Sequence, residues 1–266
     1  MSPDRTSAAD PARTLALLWR DPAAVPARGP RRSLDLDTVV AAATALADEQ
    51  GLAALTVRRV AERLGVAPMS LYTYVADRDE LLDLLLDAAY ASASREDTTG
   101  RPWRERVAAV AEDNRRLHEQ HPWAAGISTL RPVLGPGQLA KYEHELAAFD
   151  GTGLDDVTVD SCLTHLLLVV RACARDSADA RAARRESGTD DAQWWATAGP
   201  LLERVLDPAR YPRAVRIGTA AGTANASAHD PGQAYRFGVQ RVLDGIAALV
   251  EDRAQDRARP SGRIGG

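Results

Sequence analysis

At 266 residues, 45% hydrophobic and 26% charged, the chain has room for two globular domains and enough apolar content to bury a core. It has no run of eighteen consecutive apolar residues, so no transmembrane span is expected, and its polar start lacks the apolar stretch of a signal sequence, which reads as cytoplasmic. The net charge of −4 does not advertise nucleic-acid binding, but DNA affinity depends on where basic residues sit and not on their sum.

Residues 1–33 contain Pro3, Pro11, Pro22, Pro26 and Pro30 and read as a flexible arm. Only Leu15 to Trp19 is apolar enough to dock, as a short turn. The basic end of the arm, with Arg31 and Arg32, is a candidate for reaching a minor groove. A helical block over 34–95 follows. Val39, Val40, Ala43, Leu46 and Ala47 recur at helical spacing as far as Gly51, a C-terminal cap. Thr56 caps a second helix, whose Val57, Val60, Ala61 and Leu64 form one stripe ending at Gly65. Pro68 opens a short third helix, and Asp77 to Glu80 caps a long apolar one running through Leu81, Leu82, Leu85, Leu86 and Ala89.

Two short helices joined by Gly65-Val66-Ala67 satisfy the geometry of a helix-turn-helix. If Leu71 and Val75 face the core, Met69, Ser70, Tyr72 and Thr73 project outward. Their hydroxyls suit phosphates or base edges, and a Met or a Thr methyl packs on a thymine methyl. Thr56, Arg58 and Arg78 sit at helix starts, where backbone amides already favour a phosphate.

The remainder, 96–254, reads as a second helical domain with helices over 103–120, 136–149, 155–185, 190–206 and 232–252. Shorter pieces fall near 123–131 and 212–221. Breaks fall at Pro122, Gly135-Pro136-Gly137, Gly151-Thr152-Gly153, Gly188 and Asp230-Pro231-Gly232. The stretch from Asp207 to Gly232 is the least regular, and 255–266 reads as a disordered tail. The expected fold class is therefore all-α: an N-terminal helical head that carries the helix-turn-helix and a larger helical body.

Polar or aromatic residues inside the apolar helices of the body are the candidates for a ligand pocket: His118, Trp123, His144, Cys162, His165, Arg171 and Trp194. His118 and His121 stand three apart, one residue short of the H-E-x-x-H spacing, and no cluster completes a site, so no metal is expected. Cys162 and Cys173, on one helix, would lie about 16 Å apart along its axis, too far for a disulfide. No catalytic set or nucleotide loop emerges, so neither an enzyme nor a cofactor is expected.

The stretch Leu55-Thr56-Val57-Arg58-Arg59-Val60-Ala61-Glu62-Arg63-Leu64-Gly65-Val66-Ala67-Pro68-Met69-Ser70-Leu71-Tyr72-Thr73-Tyr74-Val75, continued by Arg78 and Glu80-Leu81-Leu82, resembles the DNA-binding signature of TetR-family regulators. The body resembles the tetracycline-repressor-type C-terminal domain through His121-Pro122-Trp123, Gly135-Pro136-Gly137-Gln138-Leu139 and Phe237 to Ile246. The resemblance implies a homodimer that binds double-stranded operator DNA, usually as a repressor, and that a small hydrophobic effector releases. No membrane partner is implied. The alternative is a structural DNA-binding protein without an effector.

The resemblance puts Thr56 and Arg58 on the DNA backbone or nearby bases, Met69, Ser70, Tyr72 and Thr73 in the major groove, and Tyr74 and Arg78 on phosphates. Tyr74 replaces the usual His, Val75 a common Phe and Arg78 the usual Lys, so the operator sequence does not follow. The resemblance also implies dimerisation through the last two long helices, with Leu163, Leu167, Val170, Val239, Val242, Leu243, Ile246 and Leu249 at the interface. A single-chain core is the competing explanation for these stripes.

Overall fold

The computed structural model describes residues 4–5, 10–23, 34–128, 131–225, 227 and 230–258. Apart from one parallel pairing of Asp4–Arg5 with Ile127–Ser128, the described regular structure is helical. Helix α1 spans Pro11–Leu18, α2 Leu36–Gln50, α3 Val57–Leu64, α4 Pro68–Leu71 and α5 Arg78–Ser92. The body comprises α6 (Trp103–Gln120), α7 (Pro136–Ala147), α8 (Asp156–Ser187), α9 (Asp191–Val205), α10 (Pro212–Asn225) and α11 (Pro231–Ala258).

The helix starts follow side-chain chemistry. Asp10, Asp35, Thr56 and Asp77 each accept a backbone N–H from the first turn of the helix they open, satisfying one otherwise orphaned donor. Gly65 ends α3 in the left-handed conformation at φ 67°, which costs a glycine nothing and turns the chain tightly into α4. At the start of α5, the buried Glu80 accepts from the Ala76 N–H at 2.6 Å and from Arg13 Nε at 3.2 Å. That second contact fastens α1 to the head.

The expected arm is thus partly folded. Pro11–Leu18 is a full helix, where only a docked turn near Leu15 was expected, and Leu17 and Leu18 are buried in the core of the head. At the other end, residues 255–258 of the expected tail are helical, because α11 continues to Ala258 and Arg257 donates to the Gly153 carbonyl at 3.1 Å; the rest of that tail lies outside the described residues.

One core runs from α1 through α5 and takes in Leu117, Trp123, Ala124, Ile127 and Val133, so the head and the base of the body are packed as one. A second core lies among α6, α7, α8 and α11. Six of the eight residues read as a dimer seam, Leu163, Val170, Val239, Val242, Leu243 and Ile246, are buried in that second core. The reason is stripe width: each helix is apolar over more than one face, and its own chain takes the inner face. Leu167 is half-buried against the same core, and Leu249 is exposed. The apolar residues left facing outward on these two helices are Val157, Leu168, Phe237 and Leu249.

Helix α8 has the length and apolar content of a membrane span by composition alone, and part of that surface packs on α6 and α11. Neither core includes a residue of α9 or α10. Trp195 lies against Gly222, and Trp194, Leu201, Leu202, Val205 and Ile217 remain exposed.

Candidate DNA-binding and effector sites

In the helix-turn-helix, Leu71 and Val75 are completely buried, while Met69 is 74% and Tyr72 48% exposed. Ser70 and Thr73 are also exposed, and the Thr73 hydroxyl donates to the Ser70 carbonyl at 2.7 Å. The short helix α4 and the turn after it therefore have one anchored side and one free side. Thr56 Oγ1 accepts the Arg59 N–H at 3.2 Å, which sets the entry of α3, and Arg58 is exposed in a 3.0 Å pair with Glu62. An exposed pair of this kind is weakly held and leaves the guanidinium available to a stronger anion. Arg63 binds both carboxylate oxygens of Glu49 and holds that acid below its ordinary range, chiefly through the side-chain hydrogen bond.

Two residues expected on phosphates face inward. The Tyr74 hydroxyl donates to the Leu34 carbonyl at 2.5 Å, which ties the start of α2 to the recognition unit. Arg78 donates to the carbonyls of Leu55 and Leu52 at 3.1 and 2.9 Å, bracing the 3-10 turn before α3. Both positions depend on tertiary packing and not on helix periodicity. Arg31 and Arg32 lie outside the described residues.

The body holds a cavity of about 240 Å³ between α5, α6, α7 and α8. Of the expected pocket residues, His118 and Arg171 line it. The other five lie elsewhere. Trp123 donates to Asp48 of the head, Cys162 is buried in the second core, and His144 faces Asp113 at 3.5 Å. His165 and Trp194 are exposed. Leu163 and Leu167, read as interface, contribute to the cavity wall.

Several lining residues had not been singled out in the sequence: Tyr90, Asn114, Lys141 and Glu145. Lys141 is the single lysine of the chain, and it is buried. Its Nζ donates to Glu145 Oε1 at 2.6 Å, Asn114 Nδ2 donates to the same oxygen at 2.6 Å, and Lys141 also lies over the Tyr90 ring. The i, i+4 spacing of Lys141 and Glu145 reads in sequence as a surface ion pair; only their burial distinguishes them. Burial pushes the Tyr90 hydroxyl well above its ordinary range, so it stays protonated. Burial, together with the charges of Lys141 and Arg171, lowers His118 to about 4, leaving a neutral imidazole. Burial also raises both thiols, Cys162 and Cys173, which are free.

Two contacts join this cavity to the head. The first is at α7, whose N-cap Gly135 has no side chain to offer. Asp87 of α5 supplies the missing acceptor, taking the Gln138 N–H at 2.8 Å, and its negative charge sits at the positive end of the helix. The second contact is at the end of α6. Asp48 of α2 accepts Trp123 Nε1 at 2.6 Å and lies 2.8 Å from His121 Nδ1, one turn beyond His118. Asp48→Ala removes this clasp. Because the Asp48 side chain is 30% exposed and water reaches the site, the expected loss is about 1 kcal/mol of unfolding free energy in urea. An unchanged midpoint would show that the clasp carries no stability.

Known proteins place the chain. Residues 39–85 match the bacterial regulatory proteins of the tetR family, and residues 97–250 match the tetracyclin repressor-like C-terminal domain. The HTH-type transcriptional repressor DrrR1 of Streptomyces coeruleorubidus is 37% identical over 258 residues, covering 97% of this chain and 93% of that protein. Among solved structures, apo ActR from Streptomyces coelicolor superposes with a TM-score of 0.66 at 25% identity, covering 85% of this chain and 99% of that one. The same protein in complex with actinorhodin gives 0.66 at 26% identity, over 82% and 98% of the two chains. The chain belongs to the TetR family of bacterial regulators, DNA-binding transcription factors and not enzymes.

Proposed function

We propose that the protein acts in the cytoplasm as a homodimeric repressor, released from its operator when a small hydrophobic molecule enters the cavity between α5 and α8. The observation that carries the reading is the free row of Met69, Ser70, Tyr72 and Thr73 along α4 and the turn that follows it, a segment whose other side is locked by Leu71 and Val75. These four side chains enter the major groove, and Thr56 and Arg58 take phosphates at the start of α3. A second copy packs on the outward residues of α8 and α11, and two heads then occupy successive major grooves about 34–36 Å apart. Similarity to a protein named as a repressor supports repression, and the ligand-bound state of ActR supports a small-molecule effector.

Effector in the cavity displaces α6 and α7, and the Asp87 and Asp48 contacts carry the shift to the head. Coupling of about 1–3 kcal/mol weakens operator binding roughly 5- to 150-fold.

The test is binding to the DNA upstream of the gene against a scrambled duplex at fixed salt. The wild type is expected to discriminate, and Tyr72→Ala to lose about tenfold in specific affinity. Equal affinity for both duplexes would favour an effector-independent structural DNA-binding protein. No binding to any duplex at low salt would remove the proposal.

A further inference from the structure

A second cavity, of about 320 Å³, lies between α6, α8 and the start of α11. It follows the first along α8: the first is lined from residues 163–171 of that helix and the second from residues 170–181. Val170, Cys173, Ala174 and Pro231 give it an apolar wall, and Tyr235 of α11 adds a ring. Among the described residues one side chain, His118 of α6, belongs to both walls.

The charged groups of both walls are already engaged. In the second cavity Arg115 holds the two oxygens of Glu112 at 2.8 and 2.6 Å and also reaches Glu119, and the Tyr235 hydroxyl donates to Glu112 Oε2 at 3.4 Å. Arg181 and Arg236 are exposed at its mouth. In the first cavity Glu145 accepts from Lys141 and Asn114, and Arg131 and Arg171 are each engaged within the protein. A charged ligand would have to break an existing pair, and an uncharged one would not.

His118 is the exception. Its side chain is buried, no hydrogen bond holds the ring, and Nδ1 is enclosed without a partner. Among the described residues it is the one enclosed side-chain nitrogen or oxygen of either wall in that state. An unsatisfied buried nitrogen is a standing cost that a ligand oxygen relieves. The neutral imidazole can donate to a carbonyl or accept from a hydroxyl.

From this shared, untethered side chain we infer that the two cavities are halves of one site, whose ligand is a long, uncharged, ring-bearing molecule with a carbonyl or hydroxyl oxygen near mid-length. Its rings occupy the two cavities, and the His118 imidazole, turned aside between them, hydrogen-bonds the oxygen. The inference rests on the reading of the cavity between α5 and α8 as the effector site and enlarges that site.

The experiment compares three uncharged probes by calorimetric titration of the full-length protein. 4-Phenylbutan-2-one has one ring and a ketone, 1,5-diphenylpentan-3-one has a ring on each side of the same ketone, and 1,5-diphenylpentane lacks the oxygen. The two-ring ketone is expected to bind at least about tenfold tighter than the one-ring ketone, because it buries a second ring. Ala174→Trp and Ser177→Trp each fill the second cavity and should cancel that advantage, with the one-ring ketone staying within about twofold of its wild-type affinity. Two plugs are used so that a disturbance of α8 by one is not mistaken for filling. His118→Phe keeps the bulk of the ring and removes its nitrogens, and should weaken both ketones about fivefold while sparing the hydrocarbon. Leu167→Trp fills the first cavity and should weaken all three probes. Equal affinities of the two ketones, an advantage that survives both plugs, or ketones no more sensitive to His118→Phe than the hydrocarbon would each overturn the inference and leave the first cavity as the effector site. Probes indifferent to Leu167→Trp would remove the cavity reading, and the inference with it.

Discussion

Gly137→Ala is expected to lower the unfolding free energy by about 3 kcal/mol, the upper end of what a single added methyl costs in a tightly packed contact. A Cβ at this position would stand 2.1 Å from the backbone oxygen of Asp87 and 3.0 Å from the Ala91 nitrogen. No rotamer change relieves a clash with backbone, so α5 and α7 would have to separate. The Asp87 carboxylate would then lose its place at the start of α7. Gly218→Ala is the control. Nothing lies within 4 Å of its added Cβ, and the better helix propensity of alanine should stabilise α10 by up to about 1 kcal/mol. Urea unfolding of the three proteins decides the matter, and equal midpoints for Gly137→Ala and wild type would mean that the two helices do not cross this closely.

The second large effect is a pH dependence. In the unfolded chain His118 titrates near 6.5, whereas in the fold burial, aided by Lys141, Arg171 and His121, holds it at about 4. Between these values the unfolded state binds the extra proton, so stability falls as pH falls and levels off below the folded value. From pH 7 to pH 5 the expected loss attributable to this one group is about 2 kcal/mol. Other groups titrate over the same range, so the quantity to measure is the difference between wild type and His118→Gln. The variant should lack this part of the acid sensitivity. Equal pH slopes for the two proteins would show that His118 protonates freely in the folded state.

Most helix boundaries were legible in the sequence because they are set locally. Trp103–Gln120 is bounded as expected, since Pro102 and Pro122 flank it. The α3 to α4 turn was equally readable, because Thr56, Gly65 and Pro68 act within one turn of where they stand. What periodicity could not decide was which side of a broad apolar helix its own chain would cover. Leu163 and Leu168 both belong to the apolar surface of α8, yet one is buried and the other is half exposed.

The same limit governed the sites. Met69 and Tyr72 face outward because Leu71 and Val75 must face in, an argument available from spacing alone. Tyr74 and Arg78 meet carbonyls of distant segments, Leu34, Leu52 and Leu55, whose positions no local pattern encodes. Lys141 and Glu145 look like surface residues until α6 and α8 close over them.

The crossing at Gly137 and Asp87 has a mechanical consequence. Helices in such close backbone contact cannot slide past one another, so the remaining freedom between them is rotation about the point where they touch. That point acts as a pivot, and α5 is the lever it carries. From Asp87 back to the start of α5 is nine residues, or about 14 Å of helix, so each degree of turn moves the head end of α5 by about 0.2 Å. A turn of a few degrees at the cavity therefore becomes a displacement of about 1 Å at the helix-turn-helix, enough to spoil a hydrogen bond to a base edge.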